Sequence, residues 1–131
     1  MRVLVCGSRD WRDAPELERV LDKVASVVRV DTVIEGEARG ADLMARAWAE
    51  SRGIALAPYP AEWDQLGKAA GHIRNSRMLE DGRPDLVIAF PLLSSRGTFD
   101  MISLARHAGV PVWVMPADES IVDALGEGVF A

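Results

Sequence analysis

The chain has 131 residues, 49% of them hydrophobic and 27% charged, a formal net charge of −5 and a single cysteine, Cys6. That is the length of one domain with its own core; one cysteine excludes a disulfide framework or thiolate metal cluster, and the acidic balance argues against nucleic acid, which needs a basic face. The longest apolar runs fall short of the ~18 residues of a membrane span, and RVLVCGS is too short for a signal peptide, so a cytoplasmic protein without membrane contact is expected.

RVLVCG (2–7) opens the chain as a short apolar run, the pattern of a strand buried on both faces. A helix follows, with Leu17, Val20, Leu21, Val24 and Val27 at helical spacing and a D-x-x-E cap from Asp13 and Glu16. DTVIEG (31–36) is a second buried strand. The next helix, near 40–52, turns Met44, Ala47 and Trp48 inward and stops at Gly53. After a third strand, IALAPY (54–59), a helix near 67–80 carries a patchier face of Ala70, Ile73 and Met78. DLVIAF (85–90), a helix over 98–108 ending at Gly109, and VPVWVM (110–115) complete five strands, and a short helix near 118–126 closes the chain.

This alternation, over a single domain spanning 1–131, implies the α/β class: a Rossmann-like three-layer sandwich around a mainly parallel five-stranded sheet. The simplest strand order is 3-2-1-4-5. Its winding reverses between strands 1 and 4, and ligands sit beyond the carboxyl ends of the strands at that point. The unusual residues gather at those ends, in CGSRDW, EGEARGAD, YPAEWDQLGKAAGHIRN and FPLLSSRGT, whereas the opposite edge has plain links such as SRG and HAG.

Gly7 allows close backbone approach after strand 1, Ser8 offers a hydroxyl, and Arg9 can fork onto a phosphate or carboxylate. Gly36, Gly40 and Ala41 lead to a helix amino terminus, where free N–H groups favour anions, and Asp42 can accept ribose hydroxyls or complement the dipole. Glu35 and Glu37 beside this turn would repel a phosphate unless they face a sugar or a scissile bond. Trp63 can stack on a base or cover the pocket. Arg74 and Asn75, adjacent on a helix and so ~100° apart, can share one pocket only near its edge. Ser95, Arg96, Gly97 and Thr98 supply donors after strand 4, with Thr98 able to cap the helix or bond a phosphate. His72 has acid–base chemistry in reach but fits a surface position as well; His107 suits a helix carboxyl terminus. Two separated histidines and one cysteine argue against a metal site. The chain lacks both G-x-G-x-x-G and G-x-x-x-x-G-K-[ST], so ordinary dinucleotide redox chemistry and Walker-type hydrolysis lose ground, and no obligatory cofactor is expected.

Taken together, GSRDW (7–11), GEARGAD (36–42), AEWDQLGKAAGHIRNSRML (61–79) and RGTFDMISLA (96–105) resemble the SLOG superfamily, the Smf/DprA and LOG-type Rossmann-like domains, and most closely its short YspA-like branch. The resemblance implies binding of a nucleotide or nucleotide-derived molecule, including ADP-ribose or NAD-derived ligands, by a sensor or sequestering module. LOG members instead hydrolyse nucleoside 5′-monophosphates to base and ribose phosphate, using the glutamate of P-G-G-x-G-T-x-x-E. Aligned on Gly97 and Thr98, that position is Met101, so a hydrolase would need Glu35, Glu37 or Asp42 as its carboxylate. Many relatives also carry G-G-A-x-G-A-D where this chain has Gly36-Glu37. Some relatives bind single-stranded DNA, which would need a cationic track, and relatives often dimerise. A homo-oligomer is therefore one expectation, with Met44, Trp48 and Trp113 available to core or interface.

Overall fold

In the computed structural model, residues 1–115 are described, and the helix expected near 118–126 lies outside them. The five apolar runs form β1 (Arg2–Gly7), β2 (Thr32–Glu35), β3 (Ala55–Pro58), β4 (Leu86–Phe90) and β5 (Val112–Val114). All neighbours pair in parallel in the order β3-β2-β1-β4-β5, the expected Rossmann-like topology. Parallel neighbours need long crossovers, supplied by α1 (Ala14–Val27), α2 (Ala41–Ser51), α3 (Trp63–Leu66), α4 (Ala70–Glu80) and α5 (Arg96–His107). Among the described residues, no helix is long and apolar enough to cross a membrane.

Strand alternation splits the core in two. Val3 and Val5 meet Leu17, Leu21 and Trp48 on one face, while Leu4 and Cys6 meet Met78, Met101 and Ile102 on the other. β1, β2 and β4 are deeply buried, but the edge strands β3 and β5 are partly exposed. Burial on both faces, expected of all five runs, thus holds for the three central strands. An edge strand has a neighbour on one side only and less helix above it.

The helices correct several expected inward positions. On α2 the buried stripe is Ala41, Ala45, Trp48 and Ala49, a clean i, i+4, i+7, i+8 face. Ala47 falls on the opposite side and is exposed, and Met44 is half-buried. Val27, the last residue of α1, is 72% exposed; the chain turns extended at Val28, which packs on the core in its place. Trp48 is a core residue whose Nε1 donates to Asp22 Oδ1 of α1 at 2.9 Å. Met44 and Trp113 pack at the margin of the same core.

Helix starts also differ from expectation. Asp13 Oδ1 caps α1 by accepting the Glu16 N–H at 3.1 Å, but Glu16 turns outward to Arg19 instead of closing a capping box. The helix expected over 67–80 opens as a 3-10 turn at Gly67–Ala69 and continues as α4, and an unexpected short helix, α3, precedes it; Gly67, at φ +57°, supplies the bend between them. α5 begins two residues earlier than expected, with Ser95 at its N-cap and Thr98 buried in its first turn.

Candidate functional site

β1 and β4 run side by side to their carboxyl ends, Gly7 opposite Phe90, and their crossovers leave to opposite faces of the sheet. The crevice between them is the opening that a doubly wound sheet leaves at its switch point. Ser8 donates its N–H to the Phe90 carbonyl at 2.9 Å, and its own carbonyl accepts from Trp11 N and Ala41 N, both at 3.2 Å. The turn after β1 is thereby pinned to the start of α2. Two glycines permit this contact: a Cβ on Gly7 would stand 2.5 Å from Ala41 Cβ, and Gly40, at φ +79°, faces the carbonyls of Ser8 and Arg9.

A cavity of about 310 Å³ opens here. Cys6 and Met78 form its floor, and Gly7, Ser8 and Arg9 one wall. Asp42, Arg74 and Asn75 stand across from Ser95, Arg96, Gly97 and Thr98. Ser95 Oγ accepts the Leu92 N–H at 2.9 Å and makes no side-chain cap to α5, so it leaves the first-turn N–H groups at Gly97 and Thr98 untaken. α2 also starts at Gly40 with no side-chain cap, but its Ala41 and Leu43 N–H groups are taken by the Ser8 and Ala38 carbonyls. Uncapped helix amino termini attract anions. A second cavity, about 300 Å³, adjoins the first and adds Gly36, Glu37, Pro60 and Ala61; Arg9, Arg39, Trp63 and Arg74 line both.

Arg74 and Asn75 are both buried and both reach the site, against the expectation that adjacent helical positions could share a pocket only at its edge. They act as one bonded unit. Arg74 Nη1 donates to the Gly36 carbonyl at 2.6 Å, and its Nε donates to Asn75 Oδ1 at 3.0 Å. Asn75 Nδ2 then donates to the Gly97 carbonyl and to Asp100 Oδ2, each at 3.0 Å. The pair ties the turn after β2 to the first turns of α5. Asp100 is also 2.9 Å from His72 Nδ1, so His72 is exposed but held. Spacing along the chain gives no hint of the Asn75–Asp100 or His72–Asp100 contacts, because those partners lie on separate helices.

The three candidate carboxylates separate. Asp42 is 5% exposed, lines the first cavity, and accepts the Ala38 N–H at 3.3 Å. Burial pushes it up to about 6, although Arg74, the backbone N–H groups and Arg9 oppose the shift. Glu37 lines the second cavity, where Arg46 Nη1 holds both of its oxygens at 2.7 Å. It sits at φ +59°, the left-handed region that favours glycine, and glycine is what many SLOG relatives carry there. Glu35 lines neither cavity. Two residues after Val33, its side chain lies on the α2 face of β2, fully buried. Oε1 accepts the Glu37 N–H at 3.1 Å, while Oε2 has no partner among the described residues. Burial, with the neighbouring Glu37 and Asp42 carboxylates, pushes Glu35 up to about 8, so it holds a proton at neutral pH. Gly40 also stands outside both linings; its place is the backbone contact with Ser8 and Arg9. Gly36 lines only the second cavity and packs against Arg74 and Asp42.

Trp63 is 46% exposed and forms the partition between the two cavities, with the Arg9 guanidinium 5.2 Å from its ring centroid. Cys6 and Met78 were not singled out by sequence; their signal is only that one ends a buried strand and the other lies a helical turn beyond Arg74. Burial, joined by the Asp42 charge, raises the Cys6 thiol far above its ordinary range, leaving it a neutral floor. Met101, at the position of the LOG glutamate, is fully buried in the core between sheet and helices.

The family model described as YAcAr, the YspA, cpYpsA-related SLOG family, matches residues 1–66, covering the GSRDW and GEARGAD blocks and ending inside the third. The Gene 61 protein of Mycobacterium phage D29 is 38% identical over 117 residues, 85% of this chain and 93% of that protein. The X-ray structure of DNA processing protein A (DprA) from Streptococcus pneumoniae has the same fold, with a TM-score of 0.69 at 21% identity over 97% of this chain. The chain spans 53% of that DprA chain.

Proposed function

Because the chain belongs to the YspA, cpYpsA-related SLOG family, we propose that it binds a nucleotide or nucleotide-derived ligand in the switch-point cavity, as a sensor or sequestering module. The phosphate sits between the Gly7–Arg9 turn and the start of α5, and Asp42 accepts the ribose hydroxyls. Trp63, Arg74 and Asn75 flank the base or a second phosphate. The observation that carries this reading is convergence. The uncapped start of α5, a glycine turn and the guanidinium groups of Arg9 and Arg74 meet in one cavity. Such a set suits an anion with a polar body better than a neutral apolar ligand.

Gly97 offers a direct check. Among the described residues, a Cβ there would meet nothing within 4 Å, so Gly97→Val leaves the fold intact while its side chain enters the cavity. Nucleotide affinity is expected to fall by ~100-fold or more, about 2.8 kcal/mol, with an unchanged melting curve. Unchanged affinity, measured by calorimetry, rejects this placement of the phosphate.

Asp42 favours a second reading, an N-glycosidic phosphoribohydrolase acting on nucleoside 5′-monophosphates. A buried carboxyl that titrates near 6 inside the cavity can change protonation at working pH, and anchoring the phosphate would fix the sugar beside it. Met101 can take no part in such chemistry, so Asp42 would carry the reaction, with Glu37, on the wall of the second cavity, the other candidate. Mass spectrometry of small molecules released on denaturing the fresh protein, beside an incubated nucleotide panel, separates the readings. A retained nucleotide with an unconsumed panel supports the binding module. Free base and ribose 5-phosphate from the panel would make the protein an enzyme.

A further inference from the structure

The proposed ligand site has two lobes, and the second needs an occupant. Each lobe, at about 310 and 300 Å³, is at the low end of the ~300–1,000 Å³ range of ligand pockets. Three arginines and one tryptophan line both. Arg39's ion pair with Asp10 is long, 3.4 Å, and exposed, so its guanidinium can turn inward at little loss. The acid in the second lobe, Glu37, is paired with Arg46, which also holds Glu50, so its repulsion of a phosphate-bearing molecule is reduced. Its remaining wall is flat and largely apolar: Pro60, Ala61 and the Trp63 ring. The first lobe is richer in hydroxyls and open N–H groups.

Resting on the nucleotide reading above, we infer that the ligand is bipartite: two nucleoside halves joined through phosphates, one half per lobe. The bridge runs from the phosphate position between the Gly7–Arg9 turn and the start of α5 along the shared wall of Arg9, Arg39 and Arg74. The second half lies against Trp63, Pro60 and Ala61. Cationic forks at the junction match a bridge whose negative charge is central, whereas a mononucleotide fills one lobe and leaves the other to water.

The test compares adenosine, guanosine, cytidine and uridine 5′-monophosphates with the corresponding symmetric dinucleoside diphosphates by titration calorimetry. One dinucleotide is expected to bind ~100-fold tighter than its mononucleotide, because joining two halves makes the second contact intramolecular. Ala61 lines only the second lobe of the two, so Ala61→Trp fills that lobe from its rim. It should reduce the ratio to within ~3-fold while mononucleotide affinity stays put. Ala61→Gln, a smaller intrusion, gives an intermediate ratio and serves if the larger variant fails to fold. Mononucleotides that bind while no dinucleotide binds better overturn the bipartite ligand and leave the nucleotide reading standing. A dinucleotide advantage indifferent to both Ala61 variants also overturns it. No binding by any of the eight rejects the nucleotide reading, and the inference with it.

Discussion

Glu35→Gln is expected to stabilise the protein at pH 8 by a few kcal/mol and to leave its stability near pH 4 almost unchanged. In the folded protein Glu35 keeps its proton up to about 8, against an ordinary value of 4.5. Across that window the folded state holds a proton that the unfolded chain has released. Stability from this group is therefore complete below the unfolded value and lost as pH rises through the folded one. The cause is visible in the geometry: an ionised Glu35 would carry a dry Oε2 with no hydrogen-bond partner, next to two other carboxylates. Glutamine has the shape of the protonated acid, can still accept the Glu37 N–H, and does not ionise. Asp42, pushed up in the same direction to about 6, leaves a residual slope in the acid part of the window. Denaturant midpoints measured from pH 4 to 9 check this; parallel profiles for the two proteins would show that Glu35 ionises normally.

Arg74→Gln is expected to cost about 3–5 kcal/mol of stability and at least ~100-fold in nucleotide affinity. The guanidinium donates to the Gly36 carbonyl, holds Asn75 in position, and stands as the compensating charge for buried Asp42. Without it, Asp42 keeps only the backbone N–H groups and Arg9 against its burial and moves further toward its neutral form. The double variant with Asp42→Asn removes that burden, so part of the stability should return while affinity does not. Recovery of both would mean that Arg74 acts only on the fold; an affinity near wild type in the single variant would remove it from the site. Urea melts and calorimetry on the two variants decide the matter.

Much of the site was legible because its residues follow strands whose ends the topology gathers at one edge. Gly7, Ser8 and Arg9 leave β1, and Ser95, Arg96, Gly97 and Thr98 leave the turn after β4; once order 3-2-1-4-5 is inferred, these turns must face each other. Arg74 and Asn75 were legible as residue types but not in their geometry. Their ~100° separation is overcome by side-chain length and by the bond between them, which no periodicity encodes. Ala47 and Val27 misled for a related reason. A helical stripe is wide enough to admit a neighbouring position, and only the actual packing of α2 and the end of α1 shows which ones leave the core.

By itself, the sequence determined the α/β class, the five strands and their order, and the sheet edge that carries the polar turns. Local periodicity and helix stops are properties of neighbouring residues, and the handedness of parallel connections with helical crossovers limits the arrangements that remain. Tertiary structure alone decided the fate of three nearby carboxylates. Asp42 lies within the first cavity, Glu37 is clamped by Arg46 on the wall of the second, and Glu35 is sealed beneath both with its proton. It also decided that the site has two lobes, with Trp63 between them. Burial and charge compensation depend on what arrives from distant parts of the chain: Arg74 on α4 for Asp42, and, among the described residues, no partner for Glu35 Oε2.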